Sequence, residues 1–369
     1  MIAAARVTTG EAWRAAADWV RAEAAPIPEL VGALVAGSTR ERDPGAPHPE
    51  GSDVDVWVVV DAPVPDLMHD PGHRFAARKL GHAGVILERS FKPWDALADP
   101  ERVLGDPHHA PNLAAPLILA DPAGRLARLA AAVAPAFPRR SHARRRVAAK
   151  LANAERFCGF AASGAAPPGF DAFVVGTALR VVAAGEAAGA VAVAALQQPS
   201  PRRAFVHAGE LLARHGRSDL REELLRALGS AALGPDAVAA ALDELARAWD
   251  AAVEVRRTVF GMDYELSRDA RSFALGGVRE LVEAGHHREA MFRLAFLRSL
   301  AQNVLEHDAS PDDRARFRAR YVQLLSALGL DTEERRAARI AAIRALLPAL
   351  RAGCEEVLAG TPGVVDDDR

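Results

Sequence analysis

The sequence predicts an α/β domain with a small mixed sheet over residues 1–135, an all-helical domain over residues 136–360, and a flexible acidic tail at 361–369. Three observations carry this reading. Short, strongly apolar runs separated by loops crowd the first third of the chain. Beyond residue 136 the apolar residues recur every three or four positions. At 369 residues the chain is longer than one hydrophobic core ordinarily supports.

Taken in order, residues 9–24 read as an amphipathic helix, with Trp13, Ala17 and Val20 at helical spacing behind Thr9 as cap, ended by Pro26 and Pro28. "LVGALVAG" (30–37) and "DVDVWVVV" (53–60) read as strands. A helix near 72–81 is expected to lead into a third strand, "AGVILERSF" (83–91), and "APLILAD" (115–121) supplies a fourth. The helical stretch that follows is punctuated at Pro167, Pro199, Pro201, Pro235 and Pro311, with Pro199 and Pro201 marking an internal hinge.

Composition excludes several classes of function. Forty-six basic residues against 48 acidic ones leave a net charge of −2, which gives no overall field to hold nucleic acid or an anionic membrane. Cys158 and Cys354 have no partnered spacing and no neighbouring histidine cluster, so neither a disulfide framework nor a zinc site is expected. The first residues lack a secretory leader pattern and no apolar run is expected to span a bilayer, which reads as a cytoplasmic chain. Only Lys79, Lys92 and Lys150 are lysines among the 46 basic residues, so an arginine cluster by itself carries little meaning.

The chemistry is concentrated in "GSTRERDPGAPHPEGSDVDVWVVV" (37–60). Residues two apart on a strand share a face, so Asp53 and Asp55 stand side by side while Val54 and Val56 point to the other face. Two adjacent carboxylates beside an apolar sheet repel one another unless a cation lies between them, and hard oxygen donors in a hydrated site suit Mg²⁺ or Mn²⁺. The alternative for such a pair is a solvated strand edge. Gly37 lets backbone approach a phosphate closely and the Ser38 hydroxyl can bind phosphate oxygens; alone, Gly-Ser is an ordinary turn and cap.

An apolar residue, Gly-Ser, a loop and Asp-x-Asp in a strand together resemble the signature of the nucleotidyltransferase superfamily related to DNA polymerase beta, in the kanamycin nucleotidyltransferase-like group. The resemblance covers the first third of the chain, with a somewhat long loop of fourteen residues between Ser38 and Asp53. It implies transfer of a nucleoside monophosphate from a nucleoside triphosphate, ATP by preference, to a hydroxyl of a small acceptor, aminoglycoside-like in some members, with pyrophosphate leaving. It also implies two metal ions roughly 4 Å apart, bridged by Asp53 and Asp55. A third carboxylate belongs on a neighbouring strand as ligand or general base. Glu88, inside an apolar strand, is the first choice, and Asp121, followed by Pro122 as in a helix cap, is the competitor.

Cations for the triphosphate are expected from "RRSHARRRVAAK", where Arg146 and Lys150 lie four apart on one helical face just after Arg139 and Arg140. This predicts a cleft with Lys150 and Arg146 facing Gly37, Ser38 and the aspartates, and acceptor specificity from helices after residue 170. Other readings compete. Arg202 and His207 match the Arg-x4-His spacing of HEPN-type ribonucleases, although His207 also fits a capping or core role. Protein adenylylation of antitoxin type and a nucleotide-binding regulator without turnover are further alternatives. His108, His109, His286 and His287 read as surface or pocket lining, and Glu289 is an acceptor-side base candidate on a helix whose core face is Met291, Leu294, Phe296 and Leu297.

Overall fold

The computed structural model describes residues 7–49, 52–64 and 73–367. Helix α1 (Thr9–Trp19) runs on into a π-helical turn, Val20–Ala24. Its cap is Thr8 rather than Thr9. The Thr8 hydroxyl accepts the Glu11 amide at 3.2 Å while the Glu11 carboxylate accepts the Thr8 amide at 2.7 Å, a reciprocal capping box. Ala12, Ala15, Ala16, Trp19 and Val20 form its buried face, with Trp13 packed partly against them.

Strands β1 (Leu30–Ala36), β2 (Val54–Val60), β3 (Arg78–His82), β4 (Val85–Pro93) and β5 (Leu117–Ala120) make a five-stranded sheet in the order β3-β4-β2-β1-β5. The β2–β4 pair is parallel and the others are antiparallel, so the sheet is mixed. The helix expected near 72–81 does not form: residues 73–77 are turn and irregular chain and 78–81 belong to β3, while residue 72 lies outside the described residues. Ala83 (φ 47°) and Gly84 (φ 80°) both take the left-handed conformation, which makes a two-residue hairpin turn and returns the chain onto β4. Asp43–His48, in the long loop after Ser38, is tied to the start of α1, where Ala46 and Pro44 carbonyls accept the Thr9 and Gly10 amides.

The two sheet faces pack differently. Val54, Val56, Val58 and Val60 meet Leu87 and the buried side of α1. On the other face Trp57 and Val59 pack with apolar residues of α2 (Trp94–Leu97), α3 (Pro100–Gly105), α4 (His109–Ala114) and α5 (Arg125–Val133).

The remainder is helical: α6 (Arg140–Ser163), α7 (Ala172–Ala194), α8 (Ala204–Arg214), α9 (Ser218–Leu228), α10 (Pro235–Val255), α11 (Ala270–Glu283), α12 (His287–Asp308), α13 (Pro311–Ala327) and α14 (Glu333–Gly360). Proline opens α10 and α13 at the first helical position, where its missing N–H costs nothing. One apolar cluster runs from Ala143 in α6 to Leu358 in α14, so Pro199 and Pro201 interrupt the helices inside a single core rather than forming a hinge between two. Contrary to expectation, α7 is long and apolar enough to cross a membrane by length and composition; most of it is buried against neighbouring helices, the place of a core helix. The acidic tail is not frayed as far as residue 367. Val365 bonds Pro138 and Arg140 through its backbone, and the Asp367 carboxylate accepts the Ser141 hydroxyl at 2.5 Å.

Candidate active site

Strand register builds the site. Ala36, Asp55, Glu88 and Lys79 are successive cross-strand partners on β1, β2, β4 and β3, so Asp55, Glu88 and Lys79 project from one row on one face. Asp53, two residues before Asp55, joins them. One oxygen each from Asp53, Asp55 and Glu88 lies within 4.8 Å of the others. Of the two candidates for a third carboxylate, Glu88 lies beside the aspartates, whereas Asp121 accepts the Leu126 and Ala127 amides at 3.2 and 2.8 Å and so serves the start of α5.

A cation unforeseen in the sequence stands among these carboxylates. Lys79 Nζ donates to Asp53 Oδ2 at 2.5 Å and to Glu88 Oε2, and lies 3.9 Å from Glu265 Oε2. Glu265 is held in turn by Arg293 Nη2 at 2.9 Å. Burial acts to lower the Lys79 ammonium's proton affinity, but Glu265, Asp53 and Glu88 outweigh it and hold its pKa well above the usual lysine range. Burial likewise acts to raise Asp53, and the Lys79 charge and hydrogen bond overcome it, leaving the carboxyl below its usual value. Glu88 goes the other way: burial, opposed by Lys79 and reinforced by Glu265 and Asp53, pushes it up to about 7. Asp55 is raised well above the carboxylate range by burial and by the charges of Asp53 and Glu88.

The donor set fits a divalent cation. Among the described residues the carboxylates Asp53, Glu88 and Glu265 are ion-paired with Lys79, and Glu265 also with Arg293, while Lys92 and Arg202 act on the cluster from farther along the cavity and Asp55 has no direct ion-pair partner. No described residue donates a hydrogen bond to Asp55, whose Oδ2 lies against Gly37 and which lines the cavity. Oxygen-only ligands of this kind suit Mg²⁺ or Mn²⁺.

Gly37 has φ +71°, and a Cβ there would come within 1.9 Å of Asp55 Oδ2, so the glycine is what lets β1 pass behind the carboxylate. Its amide donates to Asn112 Oδ1 at 2.9 Å, and both Gly37 and the exposed Ser38 line the cavity.

The carboxylates line a cavity of about 510 Å³ between the sheet and the helical region. Lys150 reaches it as expected, with Nζ 2.6 Å from Glu186 Oε1 and 3.4 Å from His108 Nε2. Burial, with Lys150 beside it, lowers His108 to about 4. Arg146 does not reach the cavity. It is buried and donates to the Leu104 and Phe137 carbonyls at 3.1 and 2.9 Å, joining α6 to α3. Arg202 lines the cavity, whereas the His207 Nδ1 is buried in α8 with no hydrogen-bond partner among the described residues, so the Arg-x4-His spacing does not form a shared site. Glu289 is buried and paired with Arg221 Nη2 at 2.6 Å, away from the acceptor role considered for it. Phe296, expected in the core with Met291, Leu294 and Leu297, is only partly buried and lines the cavity with Phe273 and Phe292.

No protein-family model, curated protein or solved structure matches the chain.

Proposed function

We propose that this chain is a metal-dependent nucleotidyltransferase that moves a nucleoside monophosphate from a nucleoside triphosphate, with ATP as the first choice, to a hydroxyl of a small acceptor. The observation that carries the reading is the convergence of Asp53, Asp55 and Glu88 within 4.8 Å at the mouth of a strand pair that also presents Gly37 and Ser38. Asp53, Asp55 and Glu88 are the residues that would hold Mg²⁺ or Mn²⁺, which when bound neutralises phosphate charge and lowers the pKa of an attacking hydroxyl.

The chain's own groups have distinct tasks. Ser38 donates to a phosphate oxygen. Glu88, at about 7, is poised near neutral pH to take the proton of the acceptor hydroxyl. The acceptor oxygen forms a bond to the α-phosphorus, the bond from that phosphorus to the α,β-bridging oxygen breaks, and pyrophosphate leaves with the electron pair. Lys150 and Arg202, on the opposite wall, offset charge that builds on the leaving group.

The wall also bears on the acceptor. Glu186 is already paired with Lys150 and Glu265 with Arg293, and Phe273, Phe292 and Phe296 supply apolar surface. Such a lining fits an alcohol with an aromatic or apolar body better than a polycationic aminoglycoside. The test is incubation with Mg²⁺, cell extract and each nucleoside triphosphate labelled at the α- or the γ-phosphate. A small molecule that gains α-label and no γ-label is the expected product; γ-label on the acceptor, or label on no acceptor with any nucleotide, contradicts the reading.

A further inference from the structure

We propose that Lys79 is a resident cation standing in the place of a second divalent ion, so that the site binds one Mg²⁺ or Mn²⁺ per chain, on Asp53 and Asp55. The inference rests on the nucleotidyl-transfer reading and narrows its ligand set from Asp53, Asp55 and Glu88 to the two aspartates, with Glu88 kept for the proton of the acceptor hydroxyl. Lys79 Nζ lies 2.5 Å from Asp53 Oδ2 and in contact with Glu88 Oε2, so each of these carboxylates has one oxygen committed to an ammonium. An ion shared by Asp53 and Glu88 needs oxygen ligands at about 2.0–2.1 Å and would stand against that ammonium, cation beside cation.

Lys79 is not placed to leave. Its side chain is 1% exposed, Nζ sits 4.4 Å from the centre of the Phe273 ring, and Glu265 closes the far side at 3.9 Å with Arg293 behind it. The register of β3 on β4 fixes the stem, because Lys79 and Glu88 are direct cross-strand partners. Asp55 is in the opposite condition, with no donor among the described residues, and it lines the same cavity as Asp53. The residue type points the same way. The chain has three lysines among 46 basic residues, and Lys79, Lys92 and Lys150 all line this cavity. A lysine presents a compact point charge of the kind an ion would otherwise supply.

The consequence is a carboxylate cluster already assembled around a fixed charge, needing only the ion that arrives with the triphosphate. Equilibrium dialysis of the full chain against Mn²⁺, alone and with the α,β-methylene analogue of each nucleoside triphosphate, counts bound ions, and electron paramagnetic resonance reads whether two are spin-coupled. The expected count at saturation is one for the wild type and for Lys79→Arg, rising to two, with a spin-coupled pair, in Lys79→Met. Two ions in the wild type, or one in a folded Lys79→Met, overturns the inference and leaves the nucleotidyl-transfer reading standing. No bound Mn²⁺ with any analogue overturns both. Should Lys79→Met fail to fold even when refolded with Mn²⁺, the wild-type count decides alone: one supports the inference and two overturns it.

Discussion

Gly37 and Asp55 stand so close across the β1–β2 pair that a Cβ on residue 37 would lie 1.9 Å from Asp55 Oδ2. The glycine is therefore a condition for the position of the carboxylate. Gly37→Ala combines that clash with φ 71° and ψ −169°, a backbone region essentially confined to glycine that costs roughly 1–3 kcal/mol in another residue. The expected result is a stable but lowered Tm and a loss of transfer on the order of 100-fold, the scale of an ångström of misplacement. Unchanged activity in Gly37→Ala would mean that Asp55 does not need its present position.

Asp55 itself is expected to trade stability for function. Its folded pKa is raised above the unfolded value, chiefly by burial and then by Asp53 and Glu88, so its favourable contribution is present at low pH and is lost as pH rises. In metal-free buffer with chelator, Asp55→Asn should melt a few degrees higher than the wild type at pH 8, and the gain should shrink toward pH 4. The same variant should lose transfer activity and the stabilisation that Mg²⁺ gives the wild type. A variant that melts lower at pH 8 would show that the carboxylate is not under charge strain.

Removing Lys79 should do the reverse. Lys79→Met leaves Asp53, Glu88 and Glu265 without their shared partner, and loss of one side of a buried ion pair costs about 3–5 kcal/mol. Calorimetry should find a Tm well below that of the wild type in chelator and a larger rise on adding Mg²⁺. Equal Mg²⁺ responses in the two proteins would count against a shared location for ion and ammonium.

His108 provides a pH dependence away from the carboxylates. Burial and the neighbouring Lys150 lower it from 6.5 to about 4, with Glu186, Asp106 and His109 also facing it. A depressed folded pKa means the contribution is present above pH about 6.5 and is lost as pH falls toward about 4, on the order of 3 kcal/mol in full. Denaturant titrations at pH 7.5 and pH 4.5 should show a smaller acid loss in His108→Asn than in the wild type. Parallel losses would assign the acid sensitivity to other groups.

Much of the site is legible in the sequence because its spacing is local. Asp53 and Asp55 share a face by the two-residue period of a strand, and Glu88 stands out as a carboxylate inside an apolar run. Lys79 is missed because 72–81 reads as a helix, where it would have no fixed relation to Glu88; the signal available was that lysine is rare in this chain. Glu265 and Arg293 come from a short turn and from α12, and only tertiary packing brings them to the sheet. Arg146 shows the converse. Its four-residue spacing to Lys150 fixes relative direction on α6, and yet a one-turn offset is enough to bury one side chain against α3 while the other reaches the cavity.

The measurement closest to the central claim compares the purified wild type with Asp53→Asn in Mg²⁺, α-labelled nucleoside triphosphate and an acceptor fraction from extract. Circular dichroism is used to confirm equal folding. The account predicts label transfer and equimolar pyrophosphate from the wild type, abolished by chelator, and no transfer from Asp53→Asn. Full transfer by a folded Asp53→Asn, or transfer by the wild type that chelator leaves unchanged, would contradict it.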